Sequence, residues 1–141
     1  MSNFVEMLLD ALHEKGKTMK DLEDNVIIPK RSFYQYKTYT PFLPTILKIV
    51  NYLEMSLDYF TDRTSTNNFK AYKLEQKEFY NKLISVMKQA KISQSRLAKD
   101  LEIGRHNFSY WKNGSFPKFT TLIEIANYLN CNIDDLLETE R

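Results

Sequence analysis

Residues 104–114 read GRHNFSYWKNG. An arginine, a lysine, a histidine, a serine, a tyrosine and two asparagines crowd into this stretch. Wound as an α-helix at about 100° per residue, it places Phe108 and Trp111 on one face. Arg105, His106, Ser109, Tyr110 and Asn113 fall on the opposite arc, with Asn107 and Lys112 on the flanks. A helix face that merely meets water usually carries long Glu, Lys and Gln side chains. Asn and Ser are weaker helix formers, because their short side chains compete for the backbone. Short donors and acceptors at close range are what a helix needs to read base edges in the major groove of DNA. The chemistry these residues offer is therefore recognition by hydrogen bonds.

Bond-making chemistry has little support. No glycine-rich phosphate loop, HExxH or paired-carboxylate motif occurs. The single cysteine, Cys131, precedes a short terminal helix and reads as a packing residue, with no base placed beside it. His13 lies among charges, and with Cys131 it gives no metal-ligand spacing. The expectation is a protein that is not an enzyme and has no metal or cofactor. The nine Phe and nine Tyr sit mostly at helical core spacing, which argues against a stacking platform for single strands.

Several elements must position the polar arc. EFYNKLISVMKQA carries Phe79, Leu83, Ile84, Met87 and Ala90 at helical spacing. Ser93 is placed to cap QSRLAKDL, whose Leu97 and Ala98 face inward, Ala98 being small enough for two helices to cross closely. Gly104 is expected to relieve the turn that follows, and Asn113-Gly114 to stop the next helix. KFTTLIEIANYL is amphipathic again, with Leu122, Ile123, Ile125, Ala126 and Leu129 apolar, and NIDDLL closes the unit. The reading is five short helices and no strand, with the second and third forming a helix-turn-helix whose second member is the reader. The end, DDLLETER, reads as a solvated last helix whose Leu136 and Leu137 could join a dimer seam.

The stretch SQSRLAKDLEIGRHNFSYWKNGSFPKFTTLIEIANYLNCNIDDLL resembles the Cro/CI-type (XRE) helix-turn-helix family. Gln94, Leu97-Ala98, Ile103, Trp111, Asn113-Gly114, Pro117, Leu129 and the IDDLL end carry the resemblance. It implies a five-helix bundle that binds double-stranded DNA. By position, Gln94 would contact phosphate and support base readout, and Arg105, His106, Ser109 and Tyr110 would face bases, Arg105 pairing with guanine. Asn113 would meet a phosphate, Asn107 would lie at the flank, and Lys112 and Lys118 would add phosphate contacts.

The chain also contains this pattern twice. FYQYK at 33–37 overlays FSYWK at 108–112 with an offset of 75, and NYLEMSLDYF overlays NYLNCNIDDL with an offset of 76. In the first copy Met19 replaces Gln94, Glu23 replaces Ala98 and Pro29 replaces Gly104. Its reader, 30–37, turns Phe33 and Tyr36 inward and Lys30, Arg31, Tyr34, Gln35 and Thr38 outward. Asp21, Glu23 and Asp24 crowd the helix before it. The organisation read from the sequence is all-α, with two tandem five-helix bundles. Residues 1–62 form a degenerate helix-turn-helix domain, 63–70 a linker and 71–141 the DNA-binding domain, with helix expected over 71–90.

Composition sets bounds on this reading. The chain has 141 residues, 43% apolar and 27% charged, with three glycines and four prolines, so turns are few and short. The net charge is only +2, so DNA contact must rest on local clusters. One cysteine permits no intrachain disulfide, and the start MSNFVEMLLDALHEKGK is acidic and amphipathic, unlike a secretory signal. No apolar run approaches the roughly 20 residues of a membrane helix. A soluble, cytoplasmic regulator of transcription, repressor-like, is expected, with double-stranded DNA as its partner and no membrane. A homodimer or a protein partner stays open, as does the alternative of an antitoxin- or antirepressor-type interaction module that keeps the fold without binding DNA by itself.

Overall fold

Apolar residues spaced three and four apart form helices wherever the pattern runs for two turns or more. The computed structural model describes residues 4–26, 28 and 32–140, except the side chains of Ser32 and Phe33. These residues are all-α, with nine helices, a closing 3₁₀ turn and no strand among them. Among the described residues no helix is long and apolar enough to cross a membrane. The chain divides into two units, one running to Leu74 and the other from Glu75 to Glu140.

In the first unit, α1 (Phe4–Lys15) buries Phe4, Leu8, Ala11 and Leu12. Gly16, at φ +63°, then takes the left-handed turn that ends it. Helix α2 (Met19–Val26) contributes Leu22 and Val26. It starts with a capping box: Thr18 N–H donates to Asp21 Oδ2 at 2.9 Å and Asp21 N–H to Thr18 Oγ1 at 3.1 Å. This bonding holds the Asp21 carboxyl below its ordinary pKa. Helix α3 (Ser32–Tyr36) buries Tyr36, whose ring meets Phe4 edge-on at 5.3 Å. Helix α4 (Leu43–Leu53), with a proline in its first turn, supplies Ile46, Leu47, Ile49 and Val50 to the core. Helix α5 (Leu57–Phe60) is capped by Ser56.

The residues expected as linker, 63–70, are bonded onto this unit. The Asn67 side chain accepts from Ser56 N–H and donates to the Glu54 carbonyl, both at 2.9 Å, and Arg63 pairs with the buried Asp58. The helix expected over 71–90 begins only at Phe79. Tyr72, 1% exposed, explains the difference. The Asn51 side chain takes both its backbone N–H (2.8 Å) and its C=O (2.9 Å), so neither is free for a helix. Its hydroxyl accepts the N–H of Leu57 at 2.8 Å. Unit 1 therefore extends past residue 62 to Leu74.

In the second unit, α6 (Phe79–Ala90) buries Phe79, Leu83 and Met87. Ala90, expected on that face, is exposed in the last turn. Helix α7 (Gln94–Leu101) is capped by Ser93 as expected and buries Leu97 and Ala98. Helix α8 (His106–Lys112) buries Phe108 and Trp111. Helix α9 (Phe119–Leu129) brings Leu122, Ile125, Ala126 and Leu129, and a 3₁₀ turn (Ile133–Leu136) closes the unit. Leu136 and Leu137 are buried in this unit's own core and are not available to a dimer seam. The Glu138 carboxylate accepts the N–H groups of Lys77 and Glu78, and the Gln76 side chain bonds the Glu138 backbone in both directions. That staple ties the chain end to the start of α6.

The elements recur at the offsets seen in the sequence. Helices α1 and α2 begin 75 residues before α6 and α7, and α4 and α5 begin 76 before α9 and the 3₁₀ turn. Phe79 meets Trp111 edge-on at 5.2 Å and 89°, as Phe4 meets Tyr36 at 5.3 Å and 86°.

Replacing Tyr72 by Phe leaves the buried Leu57 N–H without an acceptor, at a cost of about 1–3 kcal/mol. Amide hydrogen exchange at Leu57 is expected to speed up correspondingly. Unchanged protection there would show that the Tyr72 hydroxyl does not hold the Leu57 N–H.

Candidate nucleic-acid interface

A seven-residue helix has little stability of its own, so packing sets how α8 is rotated. Trp111 lies edge-on to Phe79 at 5.2 Å and to Phe108 at 5.1 Å, each such pair contributing about 0.5–1.5 kcal/mol beyond area burial. With those two residues fixed inward, Arg105, His106, Ser109, Tyr110, Lys112 and Asn113 are all exposed. Asn107 is half-buried and turns back, its side-chain amide donating to the Gly104 carbonyl at 3.1 Å. Asn113 forms the C-cap, and Gly114, at φ +103°, completes the stop expected there. Lys118 is exposed at the start of α9.

The turn before α8 differs from expectation. The left-handed residue is Glu102, at φ +55°, and not Gly104. Gly104 instead leaves room for the next side chain. A Cβ built there would lie 2.4 Å from Cε1 and 2.8 Å from Nδ1 of His106. The imidazole thus lies over Gly104 on one side and meets the Tyr110 ring edge-on at 5.7 Å on the other.

Helix α7 supplies the positive charge. Ser93, Ser95, Arg96, Ala98, Lys99, Asp100, Ile103 and Arg105 line an open cleft of about 710 Å³. Arg105 Nη2 donates to Ser95 Oγ at 3.2 Å, which draws the guanidinium toward α7. Gln94 opens α7, as its position in the sequence predicts, and its amide donates to the Tyr80 hydroxyl at 3.0 Å. Arg96 reaches Asp100 at 3.6 Å. Asp100 also accepts a hydrogen bond from Tyr128 at 2.5 Å. The Tyr128 hydroxyl, then Arg96, hold the Asp100 carboxyl below its ordinary pKa, and the same bond raises that of Tyr128.

Residues 82–141 match the Cro/C1-type helix-turn-helix DNA-binding domain. The match takes in α7, α8, α9 and the closing turn of this Cro/C1-like unit, and it points to a DNA-binding regulator of transcription. No curated protein and no solved structure matches the chain.

Sequence reasoning placed Gln94, Arg105, His106, Asn107, Ser109, Tyr110, Lys112 and Asn113 as site residues. The structure gathers them on or beside α7 and α8. It missed Ser95, Arg96 and Lys99, although their exposed face opposite Leu97 and Ala98 was readable from the same helical wheel. Tyr80 and Tyr128 had no such signal, since each reaches its partner from another helix. In the first unit Tyr34 and Gln35 are exposed on α3, while Lys30 and Arg31 lie outside the described residues. Asp21 and Asp24 stand on α2 at the places that Arg96 and Lys99 hold on α7.

Because the folded pKa of Asp100 is depressed, its bonds stabilise the unit above the ordinary carboxylate range and are lost as pH falls through the depressed value. Tyr128→Phe is expected to move the Asp100 titration upward toward its ordinary value, followed by carboxyl-carbon NMR. A titration that stays put would assign the shift to Arg96 instead.

Proposed function

We propose that the protein is a sequence-specific double-stranded DNA-binding regulator of transcription, repressor-like, that inserts α8 into the major groove. One observation carries this reading. Helix α8 is pinned by two buried aromatics and turns an arc of short hydrogen-bonding side chains to the outside, beside a cleft edged by Arg96, Lys99 and Arg105. Phosphates would engage the cleft, Lys112, Lys118 and Asn113, and base edges would meet His106, Ser109 and Tyr110. On this reading Arg105, its guanidinium drawn toward Ser95, joins the phosphate-facing cations in place of the guanine contact that the family resemblance implies.

The first unit is, on this proposal, a degenerate tandem copy. The recurrence of elements and of the edge-to-face aromatic pair supports common descent of the two units. The carboxylates on α2 oppose phosphate approach where α7 attracts it, so the second unit is the principal reader. A second reading assigns the first unit to a protein partner. It draws on Tyr34 (75% exposed), Tyr39 (48%) and Phe42 (76%), which crowd into one stretch of nine residues.

Duplexes selected from a random pool by the full chain test both readings. Binding should weaken with salt, and Arg96→Gln should weaken all sequences alike and lower the slope of log Kobs against log[salt] by about 1. Arg105→Ala should do the same without changing the preferred sequence. Loss of a preferred guanine in that variant would return Arg105 to base reading, and absence of duplex binding at any salt would favour the interaction module.

A further inference from the structure

The outward face of α8 carries an aromatic pair that phosphate binding does not explain. Tyr110 is 57% exposed, and it is the one large apolar-bodied side chain exposed to that degree among the described residues of α6–α9. His106 stands edge-on to its ring at 5.7 Å and 77°, and the imidazole occupies the space that a side chain at residue 104 would fill. Gly104, His106 and Tyr110 therefore lie one against the next in a short stack that ends in the exposed phenol ring.

We propose that this stack reads thymine: the Tyr110 ring packs on the C5 methyl group of a thymine in the major groove, with His106 and Gly104 as positioning residues. The inference rests on the DNA-binding reading above and deepens it. Among the four bases only thymine presents an apolar group in the major groove, and apolar side-chain contact is how it is distinguished there. A phenol ring half open to solvent gains by covering that methyl group. Of the other outward residues on or beside α8, Ser109 and Asn113 offer only hydrogen bonds and Lys112 a cation. The half-site is thus expected to contain a thymine opposite Tyr110 that no lysine or arginine specifies.

The test uses the full chain and a duplex selected from a random pool, with each thymine replaced in turn by uracil, which removes the methyl group alone. One position should weaken binding by about fourfold, the value of one buried methyl. Tyr110→Ser should bind the thymine and uracil duplexes equally, and Gly104→Ala, which displaces the imidazole, should shrink the difference. Arg105→Ala should weaken both duplexes while keeping the fourfold ratio, which separates methyl reading from general affinity. Binding that is indifferent to uracil at every position, or a ratio that survives Tyr110→Ser, overturns the assignment and leaves DNA binding standing. No preference for any duplex overturns both.

Discussion

The site depends on the way Trp111 is held. Helix α8 is too short to persist on propensity alone, and several of its outward residues are poor helix formers. Its Phe108 and Trp111 lie three residues apart, and both are buried with Trp111 edge-on to Phe79. Two fixed anchors on one short helix determine its rotation about its own axis. The direction of every other side chain on α8 then follows from the 3.6-residue repeat. Outward presentation of His106, Ser109 and Tyr110 is thus a consequence of aromatic packing on the far side.

The same logic decides what could be read from the sequence. Burial of Leu83, Met87, Leu97, Ala98, Phe108, Trp111 and Leu122 follows from spacing, because one face of each helix must meet one core. Caps such as Ser93 and stops such as Asn113-Gly114 follow from local chemistry. Ala90 misleads because its spacing is right but the last turn of α6 runs past the edge of the core. Tyr72 misleads for another reason: Asn51, 21 residues away, takes its backbone groups, and no local pattern announces that. The Ser95–Arg105 bond likewise joins residues ten apart across a turn. What was legible is governed by neighbours in sequence, and what was not is governed by side chains meeting across helices.

The paired helices α2 and α7 show a trade between stability and surface charge. Both are capped by a hydroxyl, Thr18 in one and Ser93 in the other. In α2 the third helical residue is Asp21, which completes a capping box and suits the positive end of the helix dipole. In α7 the same place holds Arg96, which gives up the reciprocal bond and sets a cation at the positive end. Such a residue weakens its own helix by a few tenths of a kcal/mol or more. Within the helix the charge meets Asp100 one turn on, and it lies on the cleft beside α8.

A frame held from behind leaves its surface free to change. Phe4 against Tyr36 and Phe79 against Trp111 are near-identical contacts, yet the faces they support differ. Position for position, Phe42 stands where the second unit has Lys118, Tyr34 where it has Ser109, and Asp24 where it has Lys99. The exchange removes cations and adds aromatic surface and carboxylates, while the buried leucines Leu8, Leu22 and Leu53 match Leu83, Leu97 and Leu129. A surface altered in that direction disfavours phosphate and favours apolar contact. The difference lies mainly on the outer arc, while the edge-to-face aromatic contact and the buried leucines beneath it match.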